Sequence, residues 1–389
     1  MRSATATSQE TIPVAIIRGG TSKGLYFHAV DLPPAGPELD RMLLRLMESP
    51  APLQIDGLGG SRAVTSKVAI ISPSARLDAD VEYTFAEVSV DPEVVEWEGN
   101  CGNILAGVGP FAIDEGLIPA TDGTTRVRIF NTNTERLITA YVPASDNRHA
   151  VRDDFAIPGV PGTGTEIVMD WSATVGAHTG RLLPTGNAVD VMTLSDRSTV
   201  RVTVCDVANP MVWVHADDVG ARGDESKAEI YHSGRLLARL REIRSRTAEL
   251  LGIGVSWQMA DEQSPALPLV GMVAPPVSYY ALDGTHIDSD AMDVAVRLMY
   301  MGHLHESLAG TAAINLGAAS RVPGSTVADA ASRVDSGILR AGHISGVMPV
   351  SVERDGAIDD TATMFSVLAI SRTSRRLTDA RVYLPRLVF

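Results

Sequence analysis

Cysteine is almost missing from this chain: Cys101 and Cys205 stand alone among 389 residues. Two thiols cannot build a disulfide framework and are too few for a cysteine-rich zinc site, so a disulfide-stapled scaffold and a zinc module are both excluded. A reducing cytoplasm is the expected compartment. Positive charge is also short, with 33 Lys and Arg against 47 Asp and Glu, a formal net charge of −14. That argues against a nucleic-acid partner, which calls for a basic domain or stripe. A local cluster of Arg, Lys and helix N-termini can still hold a small anion on an acidic protein. Long apolar runs are lacking too: no window approaches about 18 uninterrupted apolar residues, so no membrane partner is expected. The stretch Met1–Glu10 has no apolar block before a cleavage site, so no secretory leader is expected. What is present is an ordinary globular composition, 45% apolar and 21% charged, in a chain long enough for about two domains.

The apolar run Pro13–Ile17, the glycine turn within Arg18–Gly24 and the run Leu25–His28 predict a hairpin with polar residues at its tip. Leu39, Met42, Leu43, Leu46 and Met47 recur at helical spacing and predict an amphipathic helix over 38–48. Strands are expected at 67–72, 81–90, 126–130, 137–142, 166–171, 189–194 and 200–206. Residues 104–118 are apolar on every face until Asp114, and 308–319 are again small, apolar and nearly chargeless. A helix hydrophobic all round must be enclosed by other elements. Each half therefore reads as antiparallel strands wrapped around one buried, glycine-rich helix, an α+β class of two similar domains, 1–180 and 181–389. Charged helices are expected at 227–251 and 288–305, and the strand-rich tail is a candidate to return to the first domain.

Cys101 precedes the first buried helix within Glu98-Gly-Asn-Cys-Gly-Asn103. A helix N-terminus favours the thiolate, and Gly102 admits a ligand close to the backbone; an ordinary buried cysteine is the other reading. Cys205, in the alternating Val202–Asp206, reads as core. Lys67 opens an apolar strand, either as a solvated strand end or as a desolvated amine with a lowered pKa, usable as a base. Arg18–Gly24 lacks the Walker spacing and is followed by a strand, so it is no phosphate loop. Arg18, Thr21, Ser22 and free amides there suit a carboxylate, or form a plain hairpin turn. His303, His305 and Glu306, read as helical, do not share a face, and no metal is expected. His343, in the glycine-bounded Gly342–Gly346, is a candidate for ligand contact.

Cys101-Gly102-Asn103 resembles the first catalytic-cysteine motif of the diaminopimelate epimerase-like fold. Leu308–Ala313 resembles its second half-site, with Ala309 and Gly310 where a second thiol would stand. More specifically, Arg18–Gly24, Gln54–Gly60, Thr65–Lys67, Asn100–Asn103, Val108–Ile113, Pro184–Asn187, Val273–Pro276 and Gly310–Ala313 resemble, in order, the 2-methylaconitate cis-trans isomerase (PrpF-type) family. The resemblance implies a cofactor-free allylic isomerase of small unsaturated di- or tricarboxylates. It moves or inverts a C=C bond of the aconitate, 2-methylaconitate or methylitaconate type, or acts as a 4-oxalomesaconate-type tautomerase. A racemase or a non-catalytic carboxylate binder are the readings of other classes. The family's catalytic pair falls on Lys67 and Cys101. The implied substrate contacts are Arg18, Gly20, Thr21, Ser22, Ser66, Gly102, Asn103, Gly310, Thr311, His343, Ser345 and Gly346, and a homodimer is compatible. The loop Gly59–Lys67 departs from the Ala-Thr-Ser-Ser-Thr-Ser-Lys expected of 2-methylaconitate isomerases. Asp206–Pro210 is more similar to the methylitaconate and aconitate isomerase side.

Overall fold

The structure, a computed structural model, describes residues 10–97, 100–152, 154–332, 337–355 and 364–384. The expectation about Met1–Gln9, together with Glu98 and Gly99 of the cysteine motif, lies outside the described residues.

In the first half, β1 (Glu10–Gly19) and β2 (Ser22–His28) make the expected hairpin, with Arg18 opposite Lys23. Then come α1 (Pro37–Met47), β3 (Lys67–Pro73), β4 (Val81–Val88), β5 (Gly123–Asn131), β6 (Arg136–Ser145) and β7 (Glu166–Asp170). Helix α1 buries its apolar stripe, Leu39, Met42, Leu43, Leu46 and Met47, as its spacing predicts. Neighbours pair in chain order as antiparallel, parallel, antiparallel, parallel, antiparallel, antiparallel.

The second half repeats that series of signs through β8 (Thr199–Val207), β9 (Asn209–His215), β10 (Leu269–Ala274), β11 (Val294–Tyr300), β12 (Ile338–His343), β13 (Gly346–Asp355) and β14 (Met364–Leu384). The antiparallel barrel expected of each half thus includes two parallel neighbour pairs per half. A parallel pair needs a crossover connection, and each of these four crossovers carries helix. Strand β14 also pairs antiparallel with β1 and β7, which closes the first half into a barrel and brings the tail back to it.

Two expected helices are broken and one is replaced. The segment 104–118 forms α2 (Gly102–Leu105) and α3 (Val108–Asp114), buried almost throughout. Tyr26 Oη donates to Ile104 O, the carbonyl a continuous helix would bond four residues on. Pro110 has no N–H to offer Ala106, so it is tolerated in the first turn of a new helix. The charged segment divides at Ser233 into α4 (Lys227–His232) and α5 (Gly234–Leu250), with the Ser233 side chain capping the second. Residues 288–305 are mainly strand β11 rather than helix: Val-Ala-Val-Arg-Leu-Met is buried on both faces between β10 and β12, the setting of a central strand.

Helix α6 (Gly310–Ala319), every residue buried, is the second half's central helix. Its one internal amide, Asn315, donates to Cys205 O and Asn209 O at 2.9 and 3.0 Å and accepts from Trp213 Nε1 at 2.8 Å, tying α6 to the β8–β9 turn. No helix among the described residues is long and apolar enough to cross a membrane.

Candidate active site

The two central helices meet at their N-termini. A Cβ added at Gly102 would lie 3.2 Å from Gly310 Cα and 3.3 Å from Thr311 N, so the contact is one that glycine permits and a larger residue would push apart. First-turn amides have no partner within their own helix, and both sets converge here. Cys101 is the N-cap of α2, and Ala309 is the N-cap of α6. By the internal repeat, a second thiol would belong at Ala309. Because α2 is one turn long, the macrodipole expected to act on Cys101 is reduced to a few local amides.

Lys67 opens β3 directly opposite Glu87 of β4. Its ammonium lies 2.9 Å from Glu87 Oε2, and Tyr300 Oη, from the end of β11, donates to that same oxygen at 2.5 Å. The Phe85 and Tyr300 rings approach Nζ to 5.3 and 5.9 Å. Lys67 is 5% and Glu87 2% exposed. Burial pulls the lysine pKa down, but Glu87, with Cys101, outweighs it and holds the pKa above the ordinary lysine value. Of the two sequence readings, the solvated strand end is ruled out by the burial of Lys67, and in the desolvated one the carboxylate across the ladder reverses the expected sign of the shift. Burial, reinforced by Glu87, pushes the Tyr300 hydroxyl well up, so it stays a donor.

These groups line an inner cavity of about 50 Å³ with Ser22, Asn100, Gly102, Asn103, Asn209, His305, Gly310 and Thr311. Val64 and His305 also line two outer clefts of about 570 and 460 Å³, so the inner space adjoins a wider mouth. Both polar side-chain atoms of Asn100 are buried without a hydrogen-bond partner. Asn209 braces the junction: it accepts from Asn100 N at 3.2 Å and donates to Thr311 Oγ1 at 3.3 Å.

The remaining expected site residues lie outside the inner cavity. Thr21 and Ser345 line an outer cleft; Thr21 accepts from Asn103 Nδ2 at 3.0 Å and lies 3.2 Å from Ser307 Oγ. Gly20 and Gly346 are turn residues with φ of +50° and +138°, and Ser66 is buried, accepting from Gln54 Nε2 at 3.2 Å. His343 ends β12 away from the cavity wall, its ring accepting from Ser345 N at 3.2 Å. Burial, with Arg372 nearby, drives its pKa down to about 3. Arg18 does not line the cavity. Its guanidinium donates to Gly20 O at 3.0 Å and Thr373 O at 2.9 Å, so it holds the turn in shape.

Sequence reasoning missed Glu87, Tyr300 and Arg372, quoted Asn100 only within a motif, and weighed His305 only as a metal ligand. Glu87 carried a signal, since it is in phase with Val81, Tyr83 and Phe85 and so faces the core. Tyr300 and His305 were hidden by the mistaken helix. Arg372, on β14, is buried with Nε unpartnered and contacts Ser371 O at 3.1 Å and Met348 Sδ at 3.0 Å. Burial lowers its pKa to about 10 against an opposing pull from Cys101.

A repeated α+β half wound around a central helix, with the two helix N-termini opposed, is the diaminopimelate epimerase-like class. A hydroxyproline epimerase from Agrobacterium vitis shares the fold at a TM-score of 0.57 and 12% identity, covering 100% of this chain and 95% of that one. The PrpF protein family matches residues 9–385, and the chain belongs to that family. It is 44% identical to a 3-methylitaconate isomerase of Eubacterium barkeri, over 98% of this chain and 99% of the relative. It is 35% identical to a 2-methyl-aconitate isomerase of Shewanella oneidensis, over 97% and 98% of the two chains. A crystal structure of methylitaconate-delta-isomerase superimposes with a TM-score of 0.82 at 43% identity, covering 97% of each chain.

Proposed function

We propose that the protein is a cofactor-independent isomerase that shifts or inverts the C=C bond of a small unsaturated polycarboxylate by proton transfer between substrate, Lys67 and Cys101. The observation that carries the reading is the cavity that unites one thiol with one lysine where the repeat leaves Ala309 in the second thiol's place. An amino-acid racemase of the two-thiol kind needs a matched pair; here the two proton-carrying groups differ. Removal of an allylic proton builds a dienolate whose charge spreads into a carboxylate. Donors fixed in advance stabilise such charge, and the first-turn amides of α2 and α6 and the Lys67 ammonium are placed to act so. Asn100 and Thr311 supply further polar contacts for the carboxylates. Proton return at the far carbon migrates the bond; return to the original carbon after rotation inverts its geometry.

The test is proton NMR in deuterium oxide with cis- and trans-aconitate, 2-methylaconitate, methylitaconate and 4-oxalomesaconate. Bond migration or inversion with deuterium entering the allylic position is the expected result. Cys101→Ala and Lys67→Ala should each lose about 100-fold or more in rate while remaining folded. Binding of these acids without exchange would refute the isomerase reading in favour of a carboxylate-binding protein.

A further inference from the structure

We propose that Glu87 and Tyr300 are positioning residues that hold Lys67 as an ammonium in the resting site and thereby make it the proton donor of the reaction; the inference rests on the isomerase reading above.

Among the described residues, Glu87 is the sole carboxylate lining the inner cavity. Its Oε2 receives both the Lys67 ammonium and the Tyr300 hydroxyl, while Oε1 is buried without a partner. A buried carboxylate is retained at an energetic cost unless it is paired, and its partner here is a residue of the proposed chemistry. The groups facing Lys67 come from every side: Glu87 on β4, Tyr300 at the end of β11, Cys101 ahead of α2, and His305 beyond β11. His305 is kept neutral by burial, its pKa down to about 4. Glu96 acts on Tyr300 from beside β4. Lys67 and Glu87 belong to the first half and Tyr300 to the second, so the arrangement is complete when the halves are seated together.

The cycle begins with Cys101 as the thiolate and Lys67 as the ammonium. Cys101 Sγ takes the allylic proton, and the C–H electron pair delocalises into the carboxylate as the dienolate. Lys67 Nζ then delivers its proton to the far carbon, forming the new C–H bond. The site ends as thiol and amine, and transfer of one proton from Sγ to Nζ restores it. No electron or co-reactant is consumed.

The test compares wild type with Glu87→Gln and Tyr300→Phe. Without Glu87, burial acts on Lys67 against Cys101 alone, so the alkaline limb of the kcat profile should move to lower pH, with activity recovered as the pH is lowered. Reductive methylation of Lys67 at pH 8, read by peptide mass spectrometry, should be about tenfold faster or more in Glu87→Gln. Tyr300→Phe should move both readouts in the same direction by less, and it carries the test if Glu87→Gln does not fold. Profiles and labelling rates equal to wild type in both variants would overturn the proposal. The labelling needs no turnover: if no protein isomerises the acid panel, the isomerase reading fails, while unchanged labelling still rejects the role of Glu87.

Discussion

Asn315→Ala should reveal how far a single amide in the centre of α6 supports the site. Its side chain makes bonds of 2.9 and 3.0 Å to the carbonyls of Cys205 and Asn209 and receives Trp213 Nε1 at 2.8 Å. Asn315 and Trp213 are both fully buried, so water cannot replace the lost bonds without opening the core. The stranded Trp213 donor costs about 1–3 kcal/mol, and each lost bond to a carbonyl a net of about 0.5–1.5 kcal/mol. The variant should therefore lose about 3 kcal/mol of stability in equilibrium urea unfolding. Trp213→Phe removes the donor itself. The double variant should be more stable than additivity predicts by about 1 kcal/mol, the signature of a direct pair. The effect should also reach the reaction. Asn209, released from α6, holds Asn100 and Thr311 at the cavity, so kcat should fall in Asn315→Ala. A loss below about 1 kcal/mol, within the range of a single ordinary hydrogen bond, with unchanged kcat would refute the argument.

Two further outcomes follow from close packing and burial. Gly102→Ala places a methyl group 3.2 Å from both Gly310 Cα and Trp171 Cζ2; the overpacking should cost about 1–3 kcal/mol and part the two helix N-termini, so thermal unfolding and turnover should fall together. A stable variant of normal activity would show that their apposition is not needed. His343 has a native pKa of about 3, below the value near 6.5 of an unfolded histidine. The unfolded chain therefore binds the extra proton first, and this contribution to stability is complete above about pH 6.5 and lost as pH falls toward about 3. Urea midpoints from pH 7 to 4.5 should decline more steeply in wild type than in His343→Gln; equal slopes would reject the assignment.

Much of the framework was legible because it is written in local patterns. The α1 stripe, the β1–β2 hairpin, the alternation of β4 and the two chargeless helices each bury one face, or every face, by residue period alone. The residues Cys101, Lys67 and Ala309 were legible through their motifs, and the structure brings all three to one cavity. The errors came where long-range contacts override local preference. Tyr26 and Pro110 break the first central helix, and pairing with β10 and β12 makes a strand of the segment expected as helix around 288–305.

The sequence by itself determined the class and pointed to the repeated halves and the proposed thiol and amine, because periodicity and short motifs are properties of neighbouring residues. Tertiary structure alone decided the charge on Lys67, the withdrawal of Arg18 into its own turn, and the arrival of Tyr300 from the other half. Each depends on which groups share a low-dielectric space, and there a carboxylate 2.9 Å away outweighs the burial that would otherwise discharge the amine.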